Sequence, residues 1–135
     1  MNHRETLAII GSGASSIYLL KHLLDESGLL KDHLREISIF EKSRLPGMGM
    51  PYSPQTTDRF NMSNISSDEL PELPVSFAAW LRTLDPAVLE ELNVPDGEIS
   101  TTEIYSRLAL GRYLNVQYKT IISRLEECGI HVHEY

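Results

Sequence analysis

The sequence predicts an α/β fold opened by a parallel βαβ unit, and three observations carry that prediction. A short continuous apolar run, Leu7-Ala8-Ile9-Ile10, closes on Gly11. Gly11-Ser12-Gly13 is followed by apolar residues at helical spacing. Glu36-Ile37-Ser38-Ile39-Phe40-Glu41 then alternates and ends in an acid. Strand, glycine turn, helix and strand in that order make a βαβ unit, whose strands run parallel.

Each element has its own warrant. The run Leu7 to Ile10 reads as a fully buried parallel strand, since such strands are covered on both faces. From Ala14 onward, Ile17, Leu20 and Leu24 form one helical stripe with Leu23 beside it. Ser27-Gly28 is the expected stop, and Leu29 to Arg35 a polar connection with room for one more helical turn. After the second strand, Pro46-Gly47-Met48-Gly49-Met50-Pro51-Tyr52-Ser53-Pro54 is too rich in Pro and Gly for a regular element. The loop continues to Asp68, a length that is usually functional in a compact domain. A stiff Leu70 to Pro74 spacer leads to a short helix over Val75 to Leu84, with Phe77, Trp80, Leu81 and Leu84 on one face, ended by Asp85-Pro86. Thr101 or Thr102 is the expected cap of a long helix from Glu103 to about Cys128, bearing Ile104, Leu108, Val116, Ile121, Ile122 and Leu125. Gly111 within it costs about 1 kcal/mol relative to alanine, which points to close packing. Gly129 ends the helix, and Ile130-His131-Val132-His133 begins a third strand.

Composition narrows the function classes. The 135 residues include 12 Lys+Arg and 19 Asp+Glu, a formal charge of −7. A 41% apolar share can build a core, while the acidic balance disfavours nucleic acid and anionic lipid as partners. No apolar run approaches the roughly 20 residues of a membrane span. The stretch Met1-Asn2-His3-Arg4-Glu5-Thr6 leads into too short an apolar run for a signal peptide. A single cysteine, Cys128, excludes an intrachain disulfide and a multi-cysteine metal site, and fits a reducing, cytoplasmic setting.

The chemistry concentrates at the glycine turn. Gly11-Ser12-Gly13-Ala14-Ser15-Ser16 stands between strand and helix, the context a dinucleotide requires: a tight turn, a backbone that a pyrophosphate can approach, and first-turn N–H groups backed by the helix dipole. Ser12, Ser15 and Ser16 are candidate hydroxyl donors. Ser16 occupies the third position of G-x-G-x-x-G, where a small residue still permits close helix–strand packing. Glu41, 30 residues after Gly11, is suited to accept both hydroxyls of an adenosine ribose. It disfavours a 2′-phosphate, so FAD or NAD is expected ahead of NADP; Lys42 and Arg44 weaken that exclusion without reversing it. These features define a Rossmann-like βαβ dinucleotide-binding fold with a helical excursion over about residues 68–128.

With these residues in view, the chain resembles the N-terminal part of the bacterial FAD/NAD(P)-binding proteins, distant relatives of flavin-dependent amine N-hydroxylases. The matching stretches are Gly11 to Ser16, Phe40-Glu41-Lys42, Gly47-Met48-Gly49-Met50-Pro51-Tyr52-Ser53, Asn61-Met62, and Arg107 with Gly111-Arg112-Tyr113-Leu114. The resemblance implies an FAD site built from the glycine turn, the ribose acid and the following loop, with Asn61 and Met62 folding back toward the cofactor. It also implies that residues 1–135 are one Rossmann-like domain, incomplete at its C-terminus. The third strand has only begun at Tyr135, and the family's later glycine–aspartate segment does not occur here.

Other motifs have plainer readings. His131 and His133 share one face of a strand and read as its solvated side, with no partner spaced for a metal. Cys128 reads as a packing residue, Trp80 and its neighbours as core, and Glu90, Glu91, Asp96 and Glu98 as solvated surface. No G-x-S-x-G elbow accompanies Ser15 or Ser16, and no residue is assignable as acid, base or nucleophile. The expected function is FAD binding for a flavin-dependent oxidoreductase or monooxygenase-like enzyme, with these residues alone inactive. NAD binding without flavin is the alternative. A third reading is a non-catalytic module that oligomerises through an exposed sheet edge.

Overall fold

A computed structural model describes residues 3–135; of the N-terminal stretch read for a leader, Met1 and Asn2 lie outside the described residues. Strands β1 (Glu5–Ile10), β2 (Leu34–Phe40) and β3 (His131–Glu134) form a parallel sheet in the order β1-β2-β3. Between β1 and β2 lie α1 (Ala14–Asp25) and the single turn α2 (Ser27–Leu30). Between β2 and β3 lie α3 (Gly49–Tyr52), α4 (Phe77–Leu81), α5 (Pro86–Glu91) and α6 (Arg107–Glu127). Ile9 pairs with Ile39, and Ile37 lies between Leu7 and Val132. The α/β fold and the parallel βαβ unit are therefore as the sequence predicts.

Both crossovers step the same way across the sheet. Right-handed connections then put α1 and α6 on one face, where they pack against each other. Beneath them Ile9, Ile37 and Ile39 join Ile17 and Leu20 of α1 and Leu110, Leu114, Ile121 and Leu125 of α6 in a continuous core. Residues of the opposite parity point away from the helices, and Ile10 is 82% exposed. This corrects the reading of Leu7 to Ile10 as buried on both faces: β1 is an edge strand of a sheet covered on one side. An unbroken apolar run marks a strand that can be covered twice, and the helices of these residues cover it once.

Several boundaries are also corrected. Helix α1 stops at Asp25, and Gly28 lies inside the following turn. The Pro/Gly-rich loop contains the helical turn α3. Asp85-Pro86 does more than end a helix, because Asp85 precedes α5 with proline at its first position, where a missing N–H costs nothing. The long helix starts at Arg107, since Ser106 and not Thr101 or Thr102 caps it. The Ser106 hydroxyl accepts from Ala109 N at 3.1 Å and donates to Leu92 O at 2.5 Å. Its buried face includes Tyr113, Leu114, Gln117 and Tyr118, while Val116, one of the apolar residues the helix bears, is 36% exposed. Cys128 is exposed rather than packed, because Leu125 and Ile130 take the core positions at that end. The Trp80 group is core: Phe77 and Trp80 stack at 6.3 Å, with Tyr105 and Tyr113 around them.

Gly111 has the close contact that its place in a helix implied. A Cβ there would stand 2.0 Å from the Tyr52 carbonyl oxygen, so glycine is what lets α3 lie on α6. Gly111→Ala is expected to lower stability by about 2–3 kcal/mol or more, whereas Val116→Ala should stay within about 0.5 kcal/mol of the parent. Urea midpoints measure both, and an unchanged midpoint for Gly111→Ala would contradict this packing.

Candidate functional site

The site lies at the carboxyl ends of β1 and β2. Gly11 N–H donates to Phe40 O at 2.8 Å, extending the ladder one residue past the strand. Gly11 then turns at φ +86°, a conformation that favours glycine. Helix α1 begins after Gly13 with no side-chain cap and no acid in its first turn. Among the described residues, the N–H groups of Gly13, Ala14 and Ser15 have no acceptor. They form a small array of donors at the positive end of a 12-residue helix, suited to an anion.

The three serines divide their roles. Ser16 Oγ donates to Gly11 O at 2.8 Å, so its hydroxyl seats the turn against its own helix. Ser12 is fully buried, and its N–H and hydroxyl donate to Glu41 Oε2 at 2.8 and 2.7 Å. Ser15 is exposed. The expectation of three hydroxyl donors for a ligand is thus corrected: two are consumed internally, and Ser15 alone remains.

Glu41 follows β2, held there by its N–H donating to Tyr135 O at 2.9 Å. Ser43 N–H donates to its other oxygen, Oε1, at 2.9 Å. Desolvation pushes this carboxyl up. The Ser12 hydroxyl, the Ser43 and Ser12 N–H groups and the neighbouring Lys42 charge together outweigh it, leaving Glu41 below the ordinary carboxylate value. Lys42 itself is exposed.

The loop after Glu41 folds back over the turn. Gly47 N–H donates to Ser12 O at 2.7 Å, and Asn115 Nδ2 of α6 donates to Pro46 O at 2.7 Å. Gly47, at φ +90°, lies so close to α6 that a Cβ would meet Leu114 O at 2.9 Å. Gly49 approaches Gly13, whose own Cβ would sit 3.7 Å from Gly49 Cα, an ordinary contact.

Beside Glu41 a cleft of about 350 Å³ opens, bounded by Arg44, Tyr118, Lys119, Glu134 and Tyr135 among others. Tyr118 OH donates to Glu134 Oε1 at 2.6 Å; burial and this bond hold the phenol well above its ordinary value. Sequence reasoning did not single out Tyr118, Lys119, Glu134 or Tyr135. Tyr118 was within reach, because it continues the buried spacing Leu114, Tyr118, Ile121, Leu125.

Asn61 and Met62 lie elsewhere, at the start of α6. Arg107 N–H donates to Asn61 O at 2.8 Å and Arg107 Nε to Met62 O at 3.1 Å. Both residues are exposed. At 1.5 Å rise per residue, Arg107 is about 17 Å along the helix from Tyr118. His131 and His133 are exposed, facing Glu126 at 3.4 Å and Glu36 at 3.1 Å.

Comparison with known proteins gives a family match. The profile of a family described as FAD-NAD(P)-binding matches residues 8–135. The chain is also similar to the uncharacterized protein YdhS of Escherichia coli strain K12, 29% identical over 130 residues. That alignment covers 95% of this chain and 23% of YdhS, so the chain spans about a quarter of this relative's length.

The clamp on Glu41 has a pH signature. A carboxyl lowered by folding contributes stability that is present above its unfolded value and lost as pH falls through the folded value. The stability difference between the parent and Glu41→Gln is therefore expected to be largest near neutral pH and to shrink with acid below the ordinary carboxyl value of 4.5. Urea unfolding of both proteins between neutral and acid pH measures it. A difference that is constant, or grows with acid, would contradict the clamp.

Proposed function

The chain belongs to the FAD-NAD(P)-binding family, and from that premise we propose that it binds FAD through the glycine turn and Glu41. In this reading Gly11, Ser12, Gly13, Ala14, Ser15 and Ser16 form the pyrophosphate turn, and Glu41 takes the adenosine ribose. The array of N–H donors at Gly13, Ala14 and Ser15, next to the fixed carboxylate of Glu41, carries the proposal. An uncapped helix start with an acid beside it suits a ligand that is anionic at one point and bears hydroxyls at the next. Lys42 adds positive charge near the ribose end. In this reading the cofactor's far end reaches toward Asn61 and Met62.

When bound, a flavin supplies hydride or oxygen chemistry; this chain's residues bind and orient it. A flavin-dependent oxidoreductase or monooxygenase-like activity is proposed for a complete protein, and none for these residues alone. Residues 1–135 are read as a single domain, with no nucleic acid or membrane as partner. The charge of −7 supports the first exclusion. Among the described residues, no helix is long and apolar enough to cross a membrane. The lone free Cys128 supports a reducing, cytoplasmic setting. NAD binding without flavin is the alternative, and the two are separated by titration.

A second reading, assembly between chains, is favoured by one observation. β1 is a sheet edge whose last residue, Ile10, is 82% exposed, and Phe40 and Tyr135 stack 4.9 Å apart at the same end. Unpaired edges and contiguous exposed apolar side chains recruit partners.

Gly13 offers the sharpest test of binding. Its φ is −72° and a Cβ would make ordinary contacts, so Gly13→Ala should fold as the parent does. The added methyl would stand where the pyrophosphate approaches, and FAD affinity is expected to fall about tenfold or more. Parallel titrations with FAD and NADH, read by fluorescence, measure this. Tight binding of NADH alone would select the NAD alternative, and undiminished affinity in Gly13→Ala would reject the turn as the phosphate site. For assembly, sedimentation is expected to show a dimer or larger species that Ile10→Lys converts to monomer; a monomeric parent would refute it.

A further inference from the structure

We propose that Ser12 is a positioning residue that couples the ribose carboxylate to the phosphate turn, and that Glu41 consequently offers the ribose one open acceptor position rather than two. The inference rests on the dinucleotide reading above and specifies how that site recognises its ligand.

Ser12 is fully buried, and every bond of its hydroxyl is internal. It donates to Glu41 Oε2 at 2.7 Å and accepts from Gly47 N–H at 3.3 Å. Its backbone N–H donates to the same Oε2, and its carbonyl accepts from Gly47 N–H at 2.7 Å. One residue thus joins the turn, the end of β2 and the loop that leans on α6. A side chain so placed has no free donor for a ligand, and it acts on the site through Glu41.

The acceptor count follows. An ionised carboxylate has about four lone-pair positions. Ser12 fills both on Oε2, and Ser43 N–H fills one on Oε1 at 2.9 Å. One position on Oε1 stays open, so Glu41 accepts one ribose hydroxyl. The internal donors thus leave one of the two acceptor positions that the sequence suggests for the ribose.

The charged and titratable groups around Glu41 do not reproduce the clamp. The turn from Gly11 to Ser16 carries no charge. Lys42 and Arg44 of the following loop and Lys119 of α6 are exposed, where solvent and salt screen them. Tyr118 of α6 is committed to Glu134 of β3. The Ser12 hydroxyl makes the strongest of the bonds that lower Glu41, against the burial that raises it. Without that hydroxyl, burial remains and the carboxyl rises.

The test is FAD binding by the full chain from about pH 4 to pH 8, for the parent, Ser12→Ala and the control Ser123→Ala, an exposed serine of α6 outside the site. At neutral pH, Ser12→Ala is expected to bind roughly five- to tenfold more weakly. Its affinity should also begin to fall at higher pH than the parent's, while Ser123→Ala follows the parent's profile. A merely structural loss would weaken binding evenly and leave the acid limb in place. Carboxyl NMR of Glu41 in the ligand-free chain should show the same upward displacement in Ser12→Ala. Parent protein that binds FAD, with a Ser12→Ala variant whose acid limb and Glu41 titration coincide with the parent's, would overturn the coupling alone. Parent protein that takes up neither FAD nor NADH would overturn the dinucleotide reading and this inference with it. Analogues of ADP-ribose lacking the 2′- or the 3′-hydroxyl of the adenosine ribose test the count. Loss of affinity for one of them is expected, and equal loss for both would overturn the single open position.

Discussion

Ser12 lies fully buried between the glycine turn, Glu41 and the loop that follows it. A hydroxyl removed from water must find partners inside, and Ser12 finds them on two other segments, Glu41 and Gly47. Those bonds fix the height of the glycine turn above the strand ends and aim its N–H groups outward. They also hold the loop from Glu41 to Gly47 down, so that Pro46 meets Asn115 and Gly47 meets the backbone of α6. Turn, acid, loop and long helix are therefore one connected unit.

The sheet imposes the second constraint. Two right-handed crossovers in one direction place α1 and α6 together, and every core isoleucine of β1 and β2 points at them. The carboxyl ends of the strands are left free for the turn and the cleft beside Glu41. The opposite face keeps Ile10, Phe40 and Tyr135 in solvent. Parallel sheets are ordinarily covered on both sides, and this gives the assembly reading its physical basis.

Much of this was legible in the sequence, for reasons that differ by element. The βαβ unit was, because Leu7 to Ile10, the stripe Ile17-Leu20-Leu24 and the alternation through Ile37 and Ile39 are local patterns with distinct periods. Gly111 was, because a glycine inside a helix needs a neighbour to justify it. The start of α6 was not: Ser106 won over Thr101 and Thr102 because of the distant Leu92 carbonyl. The openness of β1 was not either, since an apolar run does not record how many faces are covered. Within the site, Gly11, Gly13 and Glu41 stood out by spacing. The diversion of Ser12 and Ser16 to internal bonds did not, because it depends on where Glu41 and the Gly11 carbonyl lie in space. Tyr118, Lys119, Glu134 and Tyr135 come together from a helix and a strand separated in sequence, and no local motif announces them.

If the backbone donors at the start of α1 receive the phosphates of a dinucleotide, amide NMR during titration of the chain with FAD will register it there. The N–H signals of Gly13, Ala14 and Ser15 are expected to move first and furthest, with Glu41 and Ser43 following. Saturable FAD binding that leaves those three amides unmoved would contradict it.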